Sequence, residues 1–475
     1  MNKNYNEEKI LLETAKILVR QFEKEEIDVF STNDFICKLT NEKHCTSDYN
    51  GNYSSQWGGF LSAHKEALRI SKATEKKISP MKWRILKTIV LSVAICFFIA
   101  CSDGGGSSRS GDGGGQNDGT INWNATNIII KTENQLRGFT TLVNDGNFFE
   151  GKTVTLANDI NLNGGEWKPI AFFQGTFNGN DNTISGIYIN SSEFAGAWGL
   201  FGNIGENGIV KNLGVVNLEI SGINNIGGIA GVNSGTVINC YAAGNVKSKN
   251  MVDVHGRLVG GGSIGGLVGI NWGIIEYCHS SVKITGQDGW SARGLGVLVG
   301  DNMGEIKKSY AFGNITITEG TGWVGGFVGI NGGSGKITNS YAVGDVIGSE
   351  NLGQNQWVGS IGGFAGRNDG IIENCYATGN VTGRRIIGIA GWYIGGFTGS
   401  HGAVGLLENA NIINSYALST SGQFIGTTSQ VNQIVTNSGV RTEAQMKTQS
   451  TYSGWNFSDI WNITPNVNNG FPHLR

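Results

Sequence analysis

Apolar and polar residues alternate in short runs through most of the chain after residue 120. The runs are rich in Val, Ile and aromatic residues and are bounded by glycines, as in 371–377. This pattern predicts β-strands. The closely spaced glycines argue against helix, because each costs about 1 kcal/mol in a helix interior. Proline, which cannot donate to a strand ladder, is absent between 170 and 464.

One such run recurs through the second half of the chain. Copies begin near Trp198, Ile226, Ile264, Leu295, Val324, Ile361 and Ile394. In four copies the first glycine precedes an aromatic slot by 14 residues, and these slots hold Tyr241, His279, Tyr310 and Tyr376. The segments between copies vary in length. A constant motif joined by variable segments predicts a solenoid in which each copy forms one coil.

Aligned copies give columns of like residues. The aliphatic column holds Val246, Ile284, Ile315, Val346 and Val381. The asparagine column holds Asn233, Asn271, Asn302, Asn331 and Asn368. The small-residue column holds Cys240, Cys278, Ser309, Ser340, Cys375 and Ser415. These columns predict an all-β parallel β-helix, in which aliphatic side chains fill the interior, asparagines form ladders and the cysteines are small buried residues.

The pattern G-G-[LFI]-[VA]-G-x-N-x-G-x-[IV]-x-N-[CS]-Y-A-x-G-[ND]-V resembles the GLUG repeat of bacterial surface proteins, from roughly 196 to 418. This resemblance implies a right-handed β-helix of adhesin type. The repeat also accompanies catalytic domains in some IgA-specific metallopeptidases. None of the six histidines here forms HExxH, and no GxSxG, P-loop or paired CxxC occurs. We therefore expect no enzyme activity, no metal and no cofactor.

The first 120 residues differ in character from the rest. Residues 1–80 predict a small helical segment, because 7–26 reads as a charged amphipathic helix. Residues 81–101 combine a positive start with an apolar run of signal-peptide length. Residues 102–120 form a Gly/Ser/Asp linker. Since a signal peptide belongs at an N-terminus, translation from Met81 is one hypothesis, and a cytoplasmic segment ahead of a signal anchor is the other.

The signal-like stretch ends Phe98-Ile99-Ala100-Cys101, which resembles a bacterial lipobox with Phe98 in place of the usual leucine. The resemblance implies cleavage before Cys101 and acylation of its sulfur, hence a lipid-anchored protein of the cell envelope. The same residues also fit a short signal anchor without lipid.

The ends of the predicted solenoid have their own sequences. Residues 121–195 should form an N-terminal cap and the first coils, with a capping helix near 133–144. Residues 196–425 should form the repeat solenoid. Residues 426–475 resemble a closing segment, whose aromatic side chains would cover the last coil.

Charge and aromatic placement bear on the partners. The net charge is −2 and no basic stripe appears, so nucleic acid is not an expected partner. One tryptophan precedes the glycine pair in several copies: Trp290, Trp323, Trp357 and Trp392. Such rings could form a contact stripe for a glycan or a host or cell-surface protein, or could simply cover the edge of the core.

Function follows only partly from these features. We expect a monomeric, non-catalytic surface lipoprotein for adhesion or recognition. A polysaccharide-active β-helix enzyme and a passive stalk are the alternatives, because one fold supports many functions.

Overall fold

The computed structural model describes residues 121–192, 196–249, 262–286, 293–318, 322–348, 359–383, 393–402, 410–418, 420, 423–428 and 433–475. The predicted helical segment at 1–80, the signal peptide at 81–101 and the linker at 102–120 lie outside the described residues.

Two parallel sheets carry the glycine-rich part of each coil. Sheet 1 has five strands: Ile264–Gly265, Gly294–Gly296, Trp323–Gly325, Ser360–Gly362 and Tyr393–Gly395. Sheet 2 has nine strands: Ile170–Phe173, Phe201–Ile204, Ala230–Asn233, Val268–Asn271, Val299–Asn302, Val328–Asn331, Ala365–Asn368, Thr398–His401 and Ile425–Thr428. A strand of sheet 1 leads directly into a strand of sheet 2 within each of the later coils.

Sheet 3 has 24 strands and carries the rest of each coil. Its first row comprises Asn127–Ile130, Thr153–Leu156, Thr176–Asn178, Ile209–Gly222, Thr236–Ser248, Ile274–Glu276, Glu305–Lys307, Lys336–Thr338, Ile371–Glu373, Ala410–Ile413 and Gln433–Thr436. Its second row comprises Ile160–Asn161, Thr183–Ser185, His279–Ser280, Tyr310–Ala311, Tyr341–Ala342, Tyr376–Ala377, Tyr416–Leu418 and Gly439–Arg441. Its third row comprises Tyr188–Asn190, Lys283–Gly286, Ile315–Ile317, Val346–Ile347 and Val381–Thr382.

The coils stack in the register that the aligned copies predict. Ile284 pairs with Ile315, Ile315 with Val346, and Val346 with Val381, all in parallel. Every pairing between coils is parallel, and crossovers between parallel strands are right-handed in nearly all proteins. The predicted right-handed parallel β-helix is confirmed. Its parallel stacking continues to Arg441, beyond the boundary at 425 expected from the repeats.

Two side-chain ladders run through the solenoid. Each asparagine from Asn233 to Asn331 donates its Nδ2 to the next Oδ1 at 2.8 Å, and Asn368 receives the last of these bonds. The aromatic slots form a face-to-face stack with ring centroids 4.6–5.1 Å apart, in the order Tyr241, His279, Tyr310, Tyr341 and Tyr376. The predicted stacking positions are therefore real contacts between successive coils.

Glycines in each copy allow neighbouring backbones to touch. A Cβ on Gly362 would lie 2.0 Å from the Ala365 carbonyl oxygen, and one on Gly363 would lie 2.2 Å from the Gly396 oxygen. Real Cβ atoms do not approach other atoms so closely. These glycines therefore build the rod, and they leave no backbone cradle for a ligand.

Helix α1, Glu133–Asn144, is the predicted capping helix. Thr132 caps its N-terminus by accepting a hydrogen bond from the Gln135 N–H. The buried face includes Phe139, whose ring lies 4.8–5.9 Å from the rings of Phe149, Phe173 and Phe177. The helix thus covers the apolar interior at the N-terminal end of the solenoid.

The C-terminal segment folds back along one side of the solenoid. It contains helix α2, Glu443–Met446, two 3-10 turns, Gln449–Thr451 and Asn468–Gly470, and an antiparallel pair, Trp461–Asn462 with His473–Leu474. Its aromatic residues form a second core with Tyr341, Tyr376 and Tyr416. The segment therefore covers the aromatic stack of several coils rather than only the last coil.

Candidate functional site

Trp323 is the one predicted contact aromatic that the structure describes. It begins the strand Trp323–Gly325 of sheet 1 and is half-buried. The Arg367 guanidinium carbon lies 5.2 Å from the centroid of its ring, a cation–π contact. Trp290, Trp357 and Trp392, like Cys101, lie outside the described residues. A continuous tryptophan stripe therefore stays a prediction.

Arg367 reaches Trp323 from an outward column of sheet 2. In that column Ile270 pairs with Asp301, Asp301 with Ile330, and Ile330 with Arg367. Coil stacking thus brings an acid and a base from alternate coils to one face. Two ion pairs complete this group, Arg367 Nε–Asp369 Oδ2 at 2.7 Å and Arg293 Nε–Asp301 Oδ2 at 3.1 Å.

We call Arg293, Asp301, Trp323, Arg367 and Asp369 the Trp323 cluster. The Asp301 side chain is only 3% exposed. Burial raises the pKa of Asp301 to about 6, against the opposing effect of Arg293. Burial also raises the pKa of Asp369, against the effect of Arg367. The cluster therefore contains two carboxyl groups held away from water, each supported by a guanidinium group.

Four of these five residues were not singled out as a site by sequence reasoning. Asp369 forms an ion pair with Arg367, whereas Asp301 lies two coils from Arg367 in the same column, with Ile330 between them. The signal that could have revealed Asp301 and Arg367 is a charge at a column position where the neighbouring copies carry Ile270 and Ile330.

The other acidic residues behave as surface groups. Glu276, Lys307 and Glu373 share one column of sheet 3. Lys307 Nζ lies 3.5 Å from Glu276 Oε2 and 3.7 Å from Glu305 Oε2. Partly exposed pairs of this kind contribute little to stability. They give no grouping suited to general acid and base catalysis.

The described part of the chain offers neither a metal-binding cluster nor a helix that could cross a membrane. No group of three or more His, Cys, Asp or Glu side chains is placed to hold a metal ion there. None of the helices from residue 121 onward has the length and apolar character needed to cross a membrane. Cys240, Cys278 and Cys375 are buried free thiols, as predicted.

The family comparison bears on the repeated coils. The model of the GLUG motif matches residues 260–285, 320–347 and 358–382. These segments are GLUG motifs. Each matched segment includes parts of sheets 1, 2 and 3, and so makes up most of one coil. The copies starting at Leu295 and Ile394 pair in the same register as the matched GLUG coils.

Two curated relatives share part of the chain. Halomucin of Haloquadratum walsbyi is 38% identical over 94 residues, which are 19% of this chain and 1% of halomucin. A glycine-rich membrane protein of Evansella cellulosilytica is 36% identical over 103 residues, which are 19% of this chain and 12% of that protein. The chain thus matches only a small part of either relative. The GLUG motifs and these relatives fit a non-catalytic module at a cell surface or membrane.

Two solved structures are similar in part. One, assigned as an immunoglobulin A1 protease from Bacteroides ovatus, has a TM-score of 0.45 and 16% identity, covering 73% of this chain and 92% of that one. An IgA1 protease has a TM-score of 0.35 and 21% identity, covering 62% of this chain and 22% of that one. Neither similarity bears on activity. The fold of this chain rests on its own strand pairing.

Proposed function

We propose that this chain is a non-catalytic recognition module, displayed at the cell surface on a lipid anchor at Cys101. The GLUG coils supply a rigid rod, and the lipobox-like sequence before Cys101 supplies the anchor. The linker at 102–120 would let the rod clear the membrane surface. Its role is adhesion to a glycan or to a protein on another surface.

The Trp323 cluster is the observation that carries this proposal. An aromatic ring and two ion pairs meet on one face, supplied by three different coils. In the sequence, Trp323 stands where a variable segment joins a constant motif. Binding residues are commonly delivered by variable segments on a rigid scaffold.

A polysaccharide-active enzyme is the second candidate. The feature that favours it is the presence of Asp301 and Asp369 on one face, since burial raises the pKa of each carboxyl. Carboxyl groups with raised pKa values serve as general acids in glycoside hydrolysis. Release of reducing ends from a polysaccharide by the wild-type chain, lost in Asp301→Asn, would replace the recognition proposal with this one.

Binding of the full chain to a panel of neutral and anionic glycans, fibronectin and collagen tests recognition. We expect at least one ligand to bind wild type and Trp272→Ala but not Trp323→Ala. Trp272 is a matched control because it is an exposed tryptophan, at 58%, on another part of the coil. If no ligand of the panel binds, or if Trp323→Ala binds as well as wild type, recognition at this site is contradicted and a passive stalk is favoured.

The anchor has a separate test. Cells supplied with labelled palmitate should label the wild-type protein and not Cys101→Ala, which should leave the membrane fraction. Equal labelling of both proteins would rule out acylation at Cys101. Mass spectrometry of the protein tests where translation starts, since tryptic peptides from 1–80 would refute initiation at Met81.

A further inference from the structure

The Trp323 cluster holds buried polar atoms that the described part of the chain leaves without a hydrogen-bond partner. Within the described residues, Asp369 Oδ1 is buried and has no hydrogen-bond partner. Asp301 Oδ1 is buried as well, and the Ser263 hydroxyl is the donor that acts on the Asp301 carboxyl. The second oxygen of each carboxylate is paired with an arginine. Buried polar atoms nearly always have partners, because an unmade hydrogen bond costs about 1–3 kcal/mol. Among the residues that the structure describes, Asp369 Oδ1 lacks a donor, whereas Arg367 Nε lacks an acceptor of good geometry. The ligand should therefore carry groups that both donate and accept, as hydroxyl groups do.

Arg293 is the exposed group that pairs with Asp301. Arg293 lies over this carboxylate and its own side chain is 58% exposed, whereas Asp301 is 3% exposed. An exposed arginine can change rotamer at small cost, which would uncover the carboxylate. Asp369 and Arg367 are more open, at 8% and 25% exposure of their side chains. A ligand would therefore meet Arg367 and Asp369 first and reach Asp301 by displacing Arg293.

The charge of the cluster is balanced. Two guanidinium groups face two carboxyl groups, so the site has no net charge to attract an ion. An anionic ligand would have to approach the two carboxylate groups, and a cationic ligand would have to approach Arg293 and Arg367. Both approaches are unfavourable in a partly buried site. A neutral ligand with several hydroxyl donors fits best.

Trp323 supplies the apolar part of the contact. Its ring is half-buried and rigid, because it begins a strand and lies against Arg367. Indole rings give a large contact area with little loss of conformational entropy. Pyranose rings combine apolar C–H faces with equatorial hydroxyls, which is the pairing that Trp323 and the two carboxylates require.

We propose that the Trp323 cluster binds neutral sugar units of a glycan, which contact Trp323 with their C–H face and donate hydroxyl hydrogens to Asp301 and Asp369. This assignment rests on the proposed recognition function and narrows it to one ligand class. Arg367 positions both Trp323 and Asp369, and Arg293 covers Asp301 in the absence of sugar.

The test is an array of neutral oligosaccharides of glucose, galactose and mannose, together with matching uronic acid oligosaccharides, probed with the full chain. We expect neutral oligosaccharides to bind. Trp323→Ala and Asp369→Asn should each weaken binding by about tenfold or more, and Trp272→Ala should leave it unchanged. Asp301→Asn should act like Asp369→Asn. Thermal melts of all variants establish that each is folded.

Three results would overturn the assignment. These are preferential binding of uronic acid oligosaccharides, no binding of any sugar, and sugar binding that survives both Trp323→Ala and Asp369→Asn in folded protein. The protein panel separates this failure from failure of recognition itself. Binding of fibronectin or collagen that needs Trp323, without sugar binding, would overturn the ligand class and leave recognition standing.

Discussion

At the scale of single residues, the asparagine column is the strictest requirement of the coil. Asn233, Asn271, Asn302, Asn331 and Asn368 are fully buried. From Asn271 to Asn368 each amide both donates and accepts, and Nδ2 also reaches a carbonyl oxygen of its own turn, as from Asn302 to Gly304 at 3.1 Å. A buried amide satisfied on both sides in this way is costly to replace, because its neighbours are left unpaired.

Asn302→Ala should therefore lower the free energy of unfolding by about 2–4 kcal/mol, since the Asn271 donor and the Asn331 acceptor both lose their partner. Urea unfolding followed by circular dichroism measures the change. Asn314→Ala is the control, because Asn314 is exposed and accepts one backbone hydrogen bond. Equal stability of the two variants would contradict a structural role for the ladder.

The asparagine ladder ends at a histidine. Asn368 Nδ2 lies 3.2 Å from Nδ1 of His401, which pairs with Asn368 in the next coil and is fully buried. Burial lowers the pKa of His401 to about 4. The neutral imidazole is thus the form that the fold accepts.

Because of this histidine, we expect the stability of the folded protein to fall as the pH falls. Between pH 6.5 and about 4 the unfolded chain binds a proton at this position that the folded chain does not, so stability falls as pH falls through this window. His401→Asn should remove that part of the loss. Thermal melts of both proteins from pH 7.5 to 4 measure the difference, and parallel curves over the whole range would contradict this account.

A second column shows residues forced into an unfavourable backbone conformation. Four asparagines in this column have φ between 47° and 53°, a left-handed conformation that asparagine tolerates: Asn239, Asn339, Asn374 and Asn414. Two intervening coils place Tyr277 and Lys308 at the same position, with φ of 53° and 49°. The Lys308 amine lies 2.6 Å from the Tyr277 hydroxyl, which raises the pKa of the lysine.

Tyr277→Asn should stabilise the protein by about 1 kcal/mol, because asparagine adopts a positive φ at lower cost than tyrosine. The loss of the hydrogen bond to Lys308 will offset only part of the gain, because that bond is exposed to solvent. A melting temperature raised relative to wild type supports this reasoning. A lowered melting temperature would show that the contact outweighs the backbone strain.

At the scale of elements, the C-terminal segment is attached by aromatic contacts to three different coils. Trp461 is fully buried, lies 6.1–6.2 Å from the rings of Tyr341 and Tyr376, and donates its indole N–H to Asn339 at 3.3 Å. Trp455 donates to the Asn414 carbonyl at 2.9 Å. The segment thus joins coils that otherwise contact only their neighbours.

Trp461→Ala should lower the free energy of unfolding by about 3–5 kcal/mol, the usual loss for a large buried aromatic. It should also increase hydrogen exchange at Tyr341 and Tyr376 more than at Val246. Trp272→Ala should do neither, because Trp272 is exposed. Uniform exchange across all coils in Trp461→Ala would argue against a local role for the segment.

The repeats could be predicted because each position of a parallel coil lies on its own counterpart. Asn302 contacts Asn271 and Asn331, so the alignment of copies is itself a contact map. The C-terminal segment could not be placed in this way. Its contact from Trp461 to Asn339 joins residues far apart in sequence that belong to no shared repeat.

At the scale of the whole molecule, constant and variable positions have separate roles. The constant positions stack and build the rod, whereas the Trp323 cluster uses positions at which one copy differs from the next. Asp301 and Arg367 are such exceptions, in a column shared with Ile270 and Ile330. An alignment of copies reveals the residues that the copies share, and Asp301 and Arg367 are not shared. The fold could therefore be predicted from the sequence, whereas most of the site could not.

Hydrogen exchange of the full chain, with and without the neutral oligosaccharide that gives the strongest array signal, tests the location of the site most directly. We predict slower exchange in 293–302, 322–331 and 365–369 when the sugar is bound, and no change in Trp323→Ala. Protection confined to another face, such as 272–279, or no binding of any neutral oligosaccharide, would contradict the central claim that the Trp323 cluster is the recognition site.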